Sequence, residues 1–322
     1  MVASSGIQFA QVDGLRSTST AGRRILAAAL DRLDPALAKS VFADRRWRGN
    51  YPTHIRALVR HGLAGEAAAL DSARAGLDAA WESLHWVDGD GERSLREAWT
   101  WVRQPALATA RVTGSGDARP RACSIPYRGC LLEGDALRRQ VDDWLARHRI
   151  EPGAAAALHR CVDNPDWFDL SDRTLVLLGA GAEVGPLRHL AHWRANIVAV
   201  DMALEGIWDA AAATVTDGNA TLCVPLGGGG SGGGGAVTGA GADLLREAPR
   251  IADWLGSFDR PLDLLCLAYA DGERHLRLAL AMDWIVRAVL DAGPGSTASW
   301  LATPTDVYVM PDGTARSSRE AY

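Results

Sequence analysis

The stretch TLVLLGAGAEVGPLRHLAHWRANIVAVD, residues 174–201, constrains the fold more than any other part of the chain. Thr174–Leu178 is a continuous apolar run, as a strand covered on both faces requires. Glycines follow at positions 179, 181 and 185, and the spacing predicts a helix over 186–194, a second strand over 196–200 and an acid, Asp201, at its end. A tight strand-to-helix turn needs residues without a Cβ so that backbone N–H groups can approach a ligand. The alternation continues, with helices predicted at 204–214, 243–255 and 276–293. Strands are predicted at 221–226, 262–269, 299–303 and 307–310. Strand–helix alternation at this spacing implies a parallel sheet with right-handed crossovers.

The first half reads differently. Apolar residues recur at helical spacing through RRILAAALDRLDPALAKSVF, broken at Pro35, and through 54–86, where Gly62 and Gly65 divide the run. WVDGDGERS interrupts with turn residues, residues 106–132 fit a short hairpin around GSGD, and two further helices follow, the first with Asp135 as N-cap. Trp81, Trp86, Trp99, Trp101 and Trp144 are expected mostly in the core of this half. The predicted architecture is α/β: a mainly helical region over 1–170, then a Rossmann-like nucleotide-binding domain over 171–322. Within it, the GGGGSGGGG tract at 227–235 has no side chains to pack and reads as a flexible, engineered-type linker. The end at SSREAY is abrupt for such a sheet, and suggests C-terminal truncation.

Composition narrows the function classes. A net charge of −5 with no basic cluster argues against nucleic acid. No apolar run approaches the length of a membrane span, and the first twenty residues lack a signal-peptide pattern. Five cysteines without a CxxC pair fit a reduced, cytoplasmic protein. Lys39 is the only lysine among 34 basic residues, a bias of GC-rich coding that leaves little room for lysine catalysis. His189 and His192 lack a nearby third ligand, and the Asp163, Asp166, Asp169, Asp172 series lacks calcium-loop spacing, so no metal is expected.

The nucleotide reading rests on the turn and the acid. Gly179, Ala180, Gly181, Glu183, Val184 and Gly185 would face a cofactor, and Asp201 would accept hydrogen bonds from ribose hydroxyls while repelling a 2′-phosphate, which favours NAD over NADP. LGAGAEVG resembles the TGxxxGxG turn of short-chain dehydrogenases, with Gly179 and Gly185 on the outer glycines, Glu183 in place of the middle one and Leu178 in place of the threonine. That resemblance implies an adenine contact at Asp243 and Leu244 and a nicotinamide-ribose contact near Ala270. It covers residues 174–270 and stops at the catalytic dyad. Tyr51, Tyr127, Tyr269 and Tyr308 are followed four residues on by Ile, Leu, Glu and Asp, so Tyr-x-x-x-Lys is absent. The same stretch resembles class I methyltransferases that use S-adenosylmethionine, except that Leu177 stands where those enzymes carry an acid.

Proton-transfer candidates lie after the predicted strands: Tyr269 and His275 in YADGERH, and Asp306 in ATPTDVY. Tyr127 and Arg128, in a proline-fixed turn, are candidate substrate contacts. The expectation is an NAD(P)-dependent oxidoreductase with an atypical catalytic centre acting on a small or lipid-like substrate. The alternatives are a methyltransferase and a non-catalytic nucleotide-binding protein, and the sequence leaves room for a homodimer.

Overall fold

A computed structural model describes residues 5–102, 104–227, 237–258, 261–301, 313, 316, 319 and 320. The chain sorts into two compact units whose segments interleave. The first comprises residues 1–107, 242–259 and 268–294; the second comprises 108–241, 260–267 and 295–322.

The first unit opens with β1 (Gly6–Phe9), a two-residue ladder of β2 (Gln11–Val12) and β3 (Leu15–Arg16), and helices α1 (Thr18–Asp31), α2 (Pro35–Ala43), α3 (Trp47–Gly62) and α4 (Glu66–Ser83). Ser17 caps α1, and Asp34 caps α2 with Pro35 at its first turn. Gly62 and Gly65 separate α3 from α4 as the sequence predicts. β4 (Leu84–Asp88), β5 (Gly91–Ser94) and α5 (Leu95–Trp101) follow, so WVDGDGERS forms a hairpin that pairs with β1. Trp81 and Trp86 are buried as expected, but Trp101, the last residue of α5, is 74% exposed.

The second unit begins with β6 (Ala108–Thr113), the hairpin β7 (Ser124–Tyr127) and β8 (Cys130–Glu133), and helices α6 (Gly134–Ala146) and α7 (Pro152–Asp163). Next come β9 (Thr174–Leu178), α8 (Leu187–Leu190), β10 (Asn196–Val200), α9 (Glu205–Asp217) and β11 (Thr221–Leu226). α10 (Leu244–Leu255) belongs to the first unit, β12 (Leu262–Cys266) to the second, α11 (Glu273–Asp291) to the first and β13 (Thr297–Trp300) to the second.

One six-stranded sheet organises the second unit, in the order β13-β12-β9-β10-β11-β6. The first five strands run parallel and β6 is antiparallel. Numbered by their own succession, the parallel strands lie 3-2-1-4-5, the order of doubly wound nucleotide-binding sheets, and the order reverses between β9 and β12. The fold is thus α/β with a Rossmann-like sheet and a helical N-terminal region. Leu177, Ile197, Ala199, Leu222 and Val224 are buried against Trp208, Ala211 and Val215 of α9.

Three local expectations are corrected. Residues 106–132 do not form a hairpin around GSGD: β6 pairs with β11 instead, from Thr113↔Thr221 to Ala108↔Leu226. Gly114 and Gly116 serve close backbone packing, with N–H groups on the carbonyls of Ala220 (2.8 Å) and Gly218 (2.7 Å). The hairpin turn falls at Arg128 and Gly129, both at positive φ (50° and 79°), as a two-residue turn requires. The N-cap of α6 is Glu133, not Asp135, which lies in the first turn. The helix predicted over 186–194 contracts to Leu187–Leu190. The Ala191 carbonyl is taken by the N–H groups of Asn219 (2.7 Å) and Ala220 (3.1 Å), and Arg194 turns to φ 56°, so the helical ladder cannot continue. The predicted strand at 307–310 and most of the glycine tract lie outside the described residues.

Candidate functional site

The turn after β9 is built by backbone hydrogen bonds. Gly179 takes φ 96°, open to glycine and strained for other residues. The Val200 carbonyl at the end of β10 accepts from Gly179 (2.9 Å) and Ala180 (3.1 Å). Ala182 donates to Gly179 (3.1 Å) and Gly185 to Ala182 (2.8 Å). The Gly181 N–H donates to Asp201 Oδ2 at 2.8 Å, while Asp201 Oδ1 accepts from the Met202 N–H at 2.7 Å. The structure therefore joins the turn and the acid that the sequence singles out. Each carboxylate oxygen retains acceptor capacity for a hydroxyl.

Two neighbours escape a sequence reading. A methyl group at Gly181 would lie 3.2 Å from Asp201 Oδ2 and from Ile207 of α9, so Ile207 packs beneath the turn. Gly241, at φ 125°, brings its backbone so near Ala203 that a methyl group would sit 2.5 Å from the Ala203 Cα. Its N–H donates to Pro225 O at 2.8 Å, which folds the chain after β11 back over the residues following Asp201. The only sequence signal was the small-residue run GAGA at 239–242.

This turn differs from a phosphate cradle. The amides of Gly179, Ala180, Gly181, Ala182 and Gly185 already donate within the protein, which leaves those of Glu183 and Val184. α8 has four residues, too few for aligned peptide dipoles to present a substantial positive end. Glu183 and Val184 are exposed, which puts a carboxylate on the rim.

The remaining candidates from the nucleotide reading belong to the first unit. Asp243 is the N-cap of α10: its Oδ1 accepts from Leu245 N–H at 2.8 Å, and its own N–H donates to Glu247 Oε2 at 2.9 Å. Leu244 is buried in the first turn. Ala270 lies in the loop before α11. Tyr269 and His275 come together, with ring centroids 4.7 Å apart. Tyr269 is 58% exposed, while His275 Nδ1 is buried without a hydrogen-bond partner. Such an orphaned ring nitrogen is costly unless a ligand completes it. Asp306 lies outside the described residues.

Tyr127 and Arg128 are part of a local structure. Tyr127 is half-buried edge-on against Trp144 (5.1 Å), and the Arg128 guanidinium lies over the Tyr127 ring at 5.2 Å. His189 packs on Trp193, and burial, assisted by Arg121, holds the His192 imidazole below its ordinary value. Among the described residues no group of three His, Cys, Asp or Glu is placed to hold a metal. No helix among them is long and apolar enough to cross a membrane. Comparison with family models, with curated proteins and with solved structures finds no match.

Proposed function

We propose that this chain is an enzyme that holds an adenine-nucleoside cofactor by its ribose at Asp201, and that the cofactor is S-adenosylmethionine, making the chain a methyltransferase. One observation carries the choice. The turn spends the amides of Gly179, Ala180, Gly181, Ala182 and Gly185 internally and leads into a single helical turn, and the amides it leaves, those of Glu183 and Val184, lie beside the Glu183 carboxylate, which disfavours a pyrophosphate. A nucleoside whose charge at that end is a sulfonium is favoured by the same acidic rim. The cofactor would supply the activated methyl group. Asp201 would orient the ribose through its free lone pairs, and Gly181 and Gly241 would keep the backbone close.

A second reading remains an NAD-dependent oxidoreductase. The 3-2-1-4-5 strand order supports it, since dinucleotide-binding halves share that order. Calorimetric titration with S-adenosylmethionine, S-adenosylhomocysteine, NAD, NADH and NADPH separates the two. Binding of the adenosyl compounds, weakened in Asp201→Asn, is the expected result. Binding of NAD or NADH alone would reverse the choice, and no binding by any of the five would sink both.

A further inference from the structure

Helices α3 and α4 of the first unit form a hairpin that exposes apolar side chains on both helices. α3 runs for 16 residues and buries none of them fully. Val59 is exposed on it, and Leu63, which ends it, is 80% exposed. α4 buries Ser72, Gly76 and Ala80, but Leu70 and Leu77, seven residues apart and therefore on one face, are exposed. Single exposed leucines are ordinary; an aligned set on adjoining helices is the pattern of an interaction surface.

The charges on this surface are divided between the two helices. α3 carries Arg48, Arg56 and Arg60 and no acid, and among the described residues none of the three arginines is within ion-pair distance of a carboxylate. Arg56 lies three residues before Val59, on the same face. α4 carries Glu66, Asp71, Asp78 and Glu82 against a single arginine, Arg74. Asp78 and Glu82 are held by Arg96 of α5, and Asp71 is 3.8 Å from Arg74, leaving Glu66 at the start of the helix without an arginine among the described residues.

We propose that this hairpin is the interface of a homodimer, in which α3 of each copy lies against α4 of the other about a two-fold axis. A two-fold places the same patch on both sides, so a surface can pair with itself only if it is self-complementary. This one is: the basic helix of each copy meets the acidic helix of the other, twice, around a shared leucine seam. Packing α3 on a second α3 would bring like charges together, which sets the register.

The test measures the mass of the full chain by sedimentation. The wild type is expected to be a dimer that weakens at least roughly tenfold between about 50 mM and about 500 mM salt, as screening of exposed charges requires. Two charge-reversed chains are then made, one carrying Arg56→Glu and Arg60→Glu, the other Glu66→Arg and Asp71→Arg. Each alone is expected to be monomeric; an equal mixture is expected to form a heterodimer, because both interfaces are then complementary. Circular dichroism checks that each chain is folded, and Leu77→Gln, which adds no charge, should also weaken the dimer. A wild type that is monomeric at every concentration overturns the proposal. So does a dimer that neither reversal disturbs, or two folded reversed chains that do not associate when mixed.

Discussion

The Gly181 amide and the Asp201 carboxylate, twenty residues apart in sequence, meet at 2.8 Å and tie the end of β10 to the turn after β9. The bond sets both the shape of the turn and the direction of the acid. Asp201→Asn removes the charge and leaves one acceptor oxygen for two amides, so the Gly181 or the Met202 N–H loses its partner. It should cost about 1 kcal/mol of stability and weaken adenosyl binding by roughly tenfold or more. Thermal melts and calorimetry on the same variant measure the two effects. Unchanged affinity would mean that the ribose does not use Asp201.

Gly241→Ala tests the return of the chain over Ala203. Its φ of 125° and the 2.5 Å approach to the Ala203 Cα leave no room for a methyl group. We expect a loss of about 2–4 kcal/mol, read as the shift of the denaturant midpoint. Gly181→Ala faces 3.2 Å contacts at ordinary φ and should lose less. The reverse order would show that the turn is less tightly packed than its contacts imply.

A buried acid makes the first unit sensitive to pH. Burial pushes the Asp283 carboxyl above the usual carboxylate range, opposed by the Trp81 indole N–H, which donates to Asp283 Oδ2 at 2.6 Å, and by Arg287. The folded protein therefore binds this proton more tightly than the unfolded chain. Its stability contribution is complete below the ordinary carboxylate value and is lost as pH rises through the raised one. Asp283→Asn removes that dependence and keeps an acceptor for Trp81. Near neutral pH the variant should be at least as stable as the wild type, and its stability curve should be flatter as pH rises above the ordinary carboxylate range. Identical curves would show that Asp283 titrates as it does in the unfolded chain.

Trp81 also stacks on Trp284 with centroids 5.5 Å apart, and Arg287 lies over its ring at 5.1 Å. Trp81→Phe retains much of the packing but leaves Asp283 without its indole donor. The expected loss is about 1–3 kcal/mol, larger at neutral pH than at low pH because the charged carboxylate suffers most. Urea denaturation at two pH values measures the difference. A loss equal at both values would assign the effect to packing alone.

Much of the second unit was legible in the chain. Continuous apolar runs bounded by turn residues marked β9, β10 and β11, because a strand covered on both faces needs little else. Gly179 and Asp201 stood out because few residue types can occupy a strand-to-helix turn or accept from a ribose. The extent of α8 was not legible: 186–194 has a helical pattern, but Asn219 and Ala220, far along the chain, take the carbonyl that its ladder needed. β6 was misread as half of a hairpin because its partner, β11, is more than a hundred residues away.

The sequence by itself determined the α/β class, the succession of strands and the glycine–acid pair, since these follow from local periodicity and from what single residue types permit. Only the tertiary structure decided the 3-2-1-4-5 order, the pairing of Tyr269 with His275 and the internal use of the turn's amides. Those depend on which distant groups compete for each hydrogen bond and each buried surface, and that competition is settled only when the whole chain has packed.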